Sequence, residues 1–154
     1  MLSKLDLGER ILLTLWIGGS WAVGYIAVPS LFANLEDRQL AGYLAGEMFR
    51  AIFSVGVICS ILLLASVAVS AFNSALRSWR WWLLVAMLGL TLVSLFVLQP
   101  MMAELKAQRE VLEAAIYQSR FGRLHGFSSA LYLVISLAGL VLVVFGLRRP
   151  VDRI

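Results

Sequence analysis

The chain has 154 residues, of which 61% are hydrophobic and only 14% are charged. This balance excludes an ordinary soluble globular domain, in which roughly 25% of the residues are charged. The net charge of +4 is modest and gathers beside apolar segments, so we expect lipid headgroups rather than nucleic acid as the partner of the basic residues. The single cysteine, Cys59, excludes a disulfide within the chain.

Four apolar runs that contain no Lys, Arg, Asp or Glu account for this composition. They cover residues 11–32, 51–72, 81–98 and 126–147. Each is close to the roughly 20 helical residues that cross about 30 Å of hydrocarbon. A soluble helical core would carry charges on its outer faces, whereas both faces of these runs are apolar. We therefore predict an all-α integral membrane protein, a four-helix bundle that forms a single membrane domain over residues 1–154.

The first span carries small residues at the spacing of close helix contacts. Gly18 and Ala22 are four residues apart, as are Ser20 and Gly24, and this spacing lets two helix backbones approach each other in lipid. Pro29 lies on the side of Gly18 and Ala22 and is expected to kink or end the helix near its exit. We interpret these residues as helix-packing positions.

The connections between the spans carry most of the charge. In the first connection, Glu47 and Arg50 are three residues apart and can pair on one helix face. A short interfacial helix is expected there over residues 39–49. The third connection, residues 100–123, is charged and helix-prone, and it predicts a long amphipathic helical segment between spans three and four. That segment either extends the third span into water or lies on the bilayer surface.

The basic residues beside the spans predict an orientation. An even number of spans places both termini and the second connection on one side of the membrane. Arg77, Arg80, Arg148, Arg149 and Arg153 lie on that side in short segments next to the spans, which favours the cytoplasm. We therefore expect a protein of a bacterial inner membrane with both termini in the cytoplasm.

The only histidine, His125, lies where the third connection becomes the fourth apolar run. Helical spacing places it on a polar stripe with Ser128, Ser129, Tyr132, Ser136 and Gly139. Such a stripe should face protein rather than lipid, because an unsatisfied polar group in hydrocarbon is costly. We therefore expect His125 to face the bundle at its non-cytoplasmic mouth.

Several other side chains near span ends are expected to meet His125 at this mouth. The candidate polar cluster consists of His125, Glu47, Arg50, Gln99, Arg123, Asn34 and Ser128. One hypothesis is that the cluster closes the bundle and satisfies the backbone groups at the helix ends. The other is that it moves a proton or another ion, since histidine titrates near neutral pH.

Methionines near His125 allow a metal-binding alternative. Met48, Met101 and Met102 could join His125 in a site of thioether and imidazole ligands, which suits Cu(I). Methionine in apolar segments usually serves packing, however, and one histidine cannot supply both axial ligands of the usual membrane haem. We predict no cofactor, with copper as the alternative. No catalytic constellation is found, so no enzymatic activity is expected.

Five sequence elements together resemble one family of membrane proteins. They are Trp16-Ile-Gly-Gly, Pro29-Ser-Leu-Phe32, Phe49, Gln99-Pro100 and Phe121-Gly-Arg-Leu-His-Gly-Phe-Ser128. Over nearly the whole chain, this combination resembles the DUF4149, or TMEM205-like, family of small four-span membrane proteins. The resemblance implies a membrane four-helix bundle and implies no activity, substrate or catalytic residue.

Three functions remain open from the sequence. The first is a transport-related role or an accessory role in a membrane assembly, with the chain as a homo-oligomer or beside a membrane partner subunit. The second is the handling of copper or another metal by His125 and the nearby methionines. The third is a purely structural role as a partner subunit without a ligand.

Overall fold

A computed structural model describes residues 4–76 and 78–147. Over these ranges the chain is helical and contains no β-strand. Four helices are long and apolar enough to cross a membrane: Leu7–Asn34, Arg38–Val69, Trp79–Ala107 and Ala114–Phe145. The predicted all-α architecture of four long apolar helices is thereby confirmed. Four of the arginines that predict the orientation, Arg77, Arg148, Arg149 and Arg153, lie outside the described residues.

The first two spanning helices differ in regularity. The first is α-helical over Lys4–Trp21, widens into a π-helix over Ala22–Ala27 and is α-helical again over Val28–Asn34. The second helix runs without interruption over Arg38–Ala75. The interfacial helix expected over residues 39–49 is therefore the first part of the second helix. No proline interrupts this stretch, so nothing in the sequence ends the helix before it enters the apolar run.

The third spanning helix repeats the irregularity of the first. It is α-helical over Trp79–Val93, π-helical over Ser94–Leu98 and α-helical over Gln99–Ala107. The fourth helix is regular over Ala114–Phe145. The connection at residues 100–123 is thus not one helical segment. Its first part extends the third helix, its last part begins the fourth, and a turn over residues 108–113 separates them.

Each π-helical turn lies just before a proline. Pro29 and Pro100 follow the two π segments in the chain. Proline has no N–H, and its ring collides with the carbonyl four residues earlier in a regular α-helix. In the π turns the N–H groups of Val28 and Gln99 bond instead to the carbonyls five residues earlier, which widens the helix at the ring. The first helix therefore passes Pro29 and ends only at Asn34.

The four helices close into a ring. Each helix contacts the next one in the chain, and the first also contacts the fourth. At one end of the bundle the first helix ends at Asn34, the second begins at Arg38, the third ends at Ala107 and the fourth begins at Ala114. We call this the Asn34 end. Both π segments lie in the half of the bundle nearer to it.

The apolar core draws on all four helices. Trp16, Leu63, Leu84, Met87 and Leu142 are each at most 1% exposed. In lipid, helices associate through close packing rather than through hydrophobic burial alone, so small residues at their contacts matter. Two such contacts bring bulky side chains of the first helix onto glycine backbones. The Trp16 ring lies on Gly56 of the second helix, and the Ile17 side chain lies on Gly139 of the fourth.

The packing positions predicted on the first helix divide between its two sides. Ser20 is buried and Gly24 packs against the fourth helix, as predicted. Gly18, Ala22 and Pro29 are exposed on the outer side, so their predicted role inside this bundle is wrong. The bulky side chains earlier in the helix decide which side is buried, and the Gly18 side lies opposite to them.

We predict that Gly56→Ala and Gly139→Ala each lower the free energy of unfolding by about 1–3 kcal/mol, because the new methyl group would overlap Trp16 or Ile17. Gly18→Ala is the matched control. No atom lies within 4 Å of a Cβ placed at Gly18, so alanine there should be neutral or stabilising by up to about 1 kcal/mol. Thermal unfolding in detergent measures all three. Equal melting temperatures for the three variants would contradict the packing described here.

Candidate functional site

A groove of about 540 Å³ lies between the third and fourth helices at the Asn34 end. The third helix and the turn after it line one wall with Met101, Glu104, Leu105 and Gln108. The fourth helix lines the other wall with Arg120, Arg123, Leu124 and Phe127. Each set has the spacing i, i+3, i+4, i+7, which is one face of a helix. The groove is therefore formed by two matching helix faces.

The lining changes from polar to apolar along the groove. Because the two helices run in opposite directions, Gln108 and Arg120 lie nearest to the Asn34 end. Met101 and Phe127 lie farthest from that end, about 10 Å along the helix axis at the rise of an α-helix. Between the two ends of the groove, the third-helix wall carries Glu104 and the fourth-helix wall carries Arg123. The groove thus has a charged mouth and an apolar floor.

The charged side chains of the groove do not pair with one another. Within residues 4–76 and 78–147, neither Arg120 nor Arg123 forms a salt bridge. On the opposite wall, the Glu104 carboxylate accepts one long hydrogen bond of 3.4 Å from the Gln108 amide. Guanidinium groups are planar multiple donors that suit phosphate and carboxylate oxygens. The mouth of the groove can therefore bind an anion.

Lys106 fixes the position of the third-helix wall. Its Nζ donates a 2.8 Å hydrogen bond to the backbone carbonyl of Gly42 on the second helix. Gly42 and Gly46 have no side chains, so the lysine can lie directly on the helix surface. This contact attaches the end of the third helix to the start of the second. This contact of Lys106 could not be predicted from the sequence, since nothing in the local spacing indicates a partner 64 residues away.

Tyr132 fixes the position of the fourth-helix wall. Its hydroxyl donates a hydrogen bond to the backbone carbonyl of Ser20 on the first helix. Its ring meets three aromatic rings at steep angles, with centroid distances of 6.0 Å to Tyr25, 5.2 Å to Phe49 and 6.0 Å to Phe53. Such edge-to-face pairs are favourable beyond the area they bury. One side chain thereby joins the first, second and fourth helices.

Gly24 makes room for this tyrosine. A Cβ at Gly24 would overlap the ring and hydroxyl of Tyr132. Gly24 lies inside the first π segment, two residues after the segment begins. The widened turn and the missing side chain together let the tyrosine reach the backbone of the first helix. The predicted helix-packing role of Gly24 is thus explained by one specific contact.

The structure places the predicted polar cluster at several separate positions. Glu47 and Arg50 form the expected pair, with 3.5 Å between their charged atoms, on an exposed face of the second helix. The Asn34 amide donates to the carbonyl of Ser30 in its own helix, at 2.8 Å. Gln99 and Ser128 are half-buried on the third and fourth helices, and Arg123 lines the groove. Only Arg123 of this set belongs to the groove.

His125 does not face the bundle, so that prediction is wrong. Its side chain is exposed and stacks on Phe121 of the same helix, with 5.7 Å between the ring centroids. The first fully buried side chain of the fourth helix is Tyr132, and from there on only one face of the helix is buried. The inward direction predicted for the polar stripe is therefore right for Tyr132, Ser136 and Gly139, which are buried, and fails for the part nearest to the Asn34 end.

The ligands of the predicted copper alternative are spread over three helices. Met101 lines the groove, Met48 and Met102 are half-buried, and His125 is exposed. In the part of the chain that the structure describes, no three His, Cys, Asp or Glu side chains are grouped so that they could hold a metal ion.

Glu9 is a buried acid that the sequence analysis missed. It is 5% exposed, and its carboxylate accepts a 2.8 Å hydrogen bond from the Ser66 hydroxyl of the second helix. The first apolar run begins only at residue 11, so the sequence suggested that Glu9 lies in a solvated flank. A signal that could have revealed it is its helical spacing from Leu13 and Trp16, which are buried on the same side.

We predict that Tyr132→Phe lowers the free energy of unfolding by about 1–3 kcal/mol, because the Ser20 carbonyl loses its buried donor. Tyr132→Ala should cost more, about 3–5 kcal/mol, since the aromatic contacts are lost as well. Tyr43→Phe is the control, because Tyr43 is 63% exposed. Thermal unfolding in detergent is the measurement. A Tyr132→Phe protein as stable as the Tyr43→Phe protein would contradict the role given to the hydroxyl.

The comparisons with known proteins identify a family. The sequence model of a family described as "Domain of unknown function (DUF4149)" matches residues 11–111. No curated protein and no solved structure matches the chain. The matched region covers about two thirds of the chain and includes the third-helix wall of the groove, whereas Arg120 and Arg123 lie beyond it. The chain belongs to the DUF4149 family of domains of unknown function.

Proposed function

We propose that this membrane protein binds an amphiphilic anion in the groove between its third and fourth helices and has a transport-related or accessory role with that ligand. The observation that carries the proposal is the order of the lining, with Arg120 and Arg123 at the mouth and Leu124 and Phe127 at the floor. A small soluble anion would leave the apolar floor uncovered. A purely apolar ligand would leave the guanidinium groups without an anion.

The depth of the groove supports an amphiphile. The third helix carries no charge from Trp81 until Glu104, and the fourth carries none between Arg123 and its end at Phe145. The groove therefore straddles the place where the apolar runs meet the charged helix ends. In a bilayer this is the level at which headgroups meet hydrocarbon chains. Arginine side chains there can keep their guanidinium groups among headgroups while their stems lie along apolar surface.

Binding should depend on the two arginines. Arg120→Gln/Arg123→Gln in the purified full chain should weaken the binding of dioleoyl phosphatidylglycerol by about tenfold or more, because two charge-assisted contacts are lost. Arg38→Gln/Arg50→Gln removes the same charge at the same end outside the groove and should leave binding nearly unchanged. Native mass spectrometry with a lipid titration measures both. Equal losses in the two double variants, or no loss in the groove variant, would overturn the proposal.

We infer further that the protein lies in a bacterial inner membrane with both termini in the cytoplasm. The termini and the second connection lie on the same side of the membrane, and most of their charged residues are arginines beside the spans, which favours the cytoplasmic side. The groove would then lie in the non-cytoplasmic leaflet. A reporter phosphatase that is active only after export should give a strong signal when fused within the turn at residues 108–113. It should give little signal at the C-terminus. The reverse pattern would overturn the orientation.

A further inference from the structure

Resting on the proposed function, we propose that the ligand of the groove is an anionic glycerophospholipid with a hydroxyl-bearing headgroup. Its phosphodiester lies at Arg120 and Arg123, and a headgroup hydroxyl lies at Glu104. The groove offers different chemistry on its two walls, and each wall restricts the ligand in its own way.

The fourth-helix wall fits a phosphodiester. Arg120 and Arg123 are three residues apart, so their side chains leave the helix on the same side, with about 5–6 Å between their Cβ atoms. A phosphodiester has two unbridged oxygens, and each of them can accept hydrogen bonds from a different guanidinium group. Neither arginine is held by a carboxylate within the described ranges, so both are available to the phosphate.

The third-helix wall discriminates against a bare carboxylate. Glu104 is an acceptor when ionised, and the only hydrogen bond to its carboxylate among the described residues is the long one from the Gln108 amide. A fatty acid bound at the arginines would bring a second carboxylate toward Glu104 without offering a donor. A headgroup hydroxyl donates to Glu104 and can also accept from the Gln108 amide. The wall therefore selects a headgroup that carries hydroxyls.

The charge of the groove favours an anionic lipid over a zwitterionic one. Two arginines and one glutamate give the groove a net charge of +1. A phosphodiester with an uncharged polyol headgroup neutralises this charge. A headgroup with an ammonium group would leave the site at +1. Where a site is partly removed from water, uncompensated charge is costly, so the neutral combination is preferred.

The floor of the groove accommodates the start of the acyl chains. Leu105 and Leu124 lie beside the charged residues, and Met101 and Phe127 lie deeper. Met101 is 49% exposed and Phe127 is 57% exposed, so the floor opens toward the surrounding lipid rather than into the bundle. The chains can therefore continue into the bilayer, and the protein does not need to enclose them.

The test compares ligands with the same acyl chains on the purified full chain in neutral detergent. Dioleoyl phosphatidylglycerol should bind at least about tenfold more tightly than dioleoyl phosphatidylethanolamine or oleate, as measured by native mass spectrometry. Inorganic phosphate at millimolar concentration should not displace the lipid. If phosphatidylethanolamine or oleate bound as tightly as phosphatidylglycerol, the inference would be overturned. Full displacement of the lipid by inorganic phosphate would also overturn it, since the ligand would then be a free anion.

Glu104→Gln tests the third-helix wall directly. It should tighten oleate binding severalfold and so narrow the difference between oleate and phosphatidylglycerol, because the repulsion between carboxylates is removed. Glu110→Gln, in the turn outside the groove lining, should leave the difference unchanged. An unchanged difference in Glu104→Gln would overturn the inference. Oleate binding that depends on Arg120 and Arg123 would still support the proposed function, whereas failure of every amphiphile to bind would end both proposals.

Discussion

The contact between Tyr132 and the first helix is the point at which three of the four helices are joined. In a bilayer, lipid tails solvate an apolar helix as well as another helix does, so helices need close packing and specific polar contacts to associate. Tyr132 supplies both at one point. Its hydroxyl reaches the Ser20 carbonyl, and its ring packs against aromatic residues of the first and second helices. Gly24 and the π turn before Pro29 give it the necessary space.

The same contact has a consequence for the groove. Tyr132 and Lys106 hold the fourth and third helices at points that lie outside the groove itself. Neither side chain is part of the groove lining, so the helix faces that carry the lining residues are left to form the two walls. Because the charged ends of both helices extend past their apolar runs, each wall passes from apolar to charged along its length. A polarised groove thus follows from two helix contacts and the charge pattern of two antiparallel helices.

Much of the fold could be predicted from the sequence, because the length and apolar composition of a span are local properties. The Glu47–Arg50 pair and the inward position of Tyr132 and Ser136 also follow from helical spacing. Whether the Gly18 side of the first helix and the His125 side chain face the bundle or its outer surface could not be predicted. Spacing shows which residues share a face, but the neighbouring helices decide which face is buried.

The groove was not predicted, although two of its residues were singled out. Arg123 was assigned to a polar cluster and Met101 to a copper site, because both sets were grouped around His125, which the structure places outside the groove. Whether these two residues line the same groove depends on how the turn at residues 108–113 aligns the third and fourth helices. Nothing in the local sequence determines this alignment. Glu104 and Arg120 gain a role only once the two faces are opposite each other.

The most direct test of the groove as a lipid site is photocrosslinking in native membranes. A photoreactive amino acid at position 124 should capture lipid that is enriched in anionic phospholipid over the bulk membrane, as identified by mass spectrometry. The same amino acid at position 133 replaces Leu133, which is 50% exposed on the same helix outside the groove, and should capture the bulk composition. Enrichment at position 124 alone is the result that we expect. The same lipid composition at both positions would contradict selective binding in the groove.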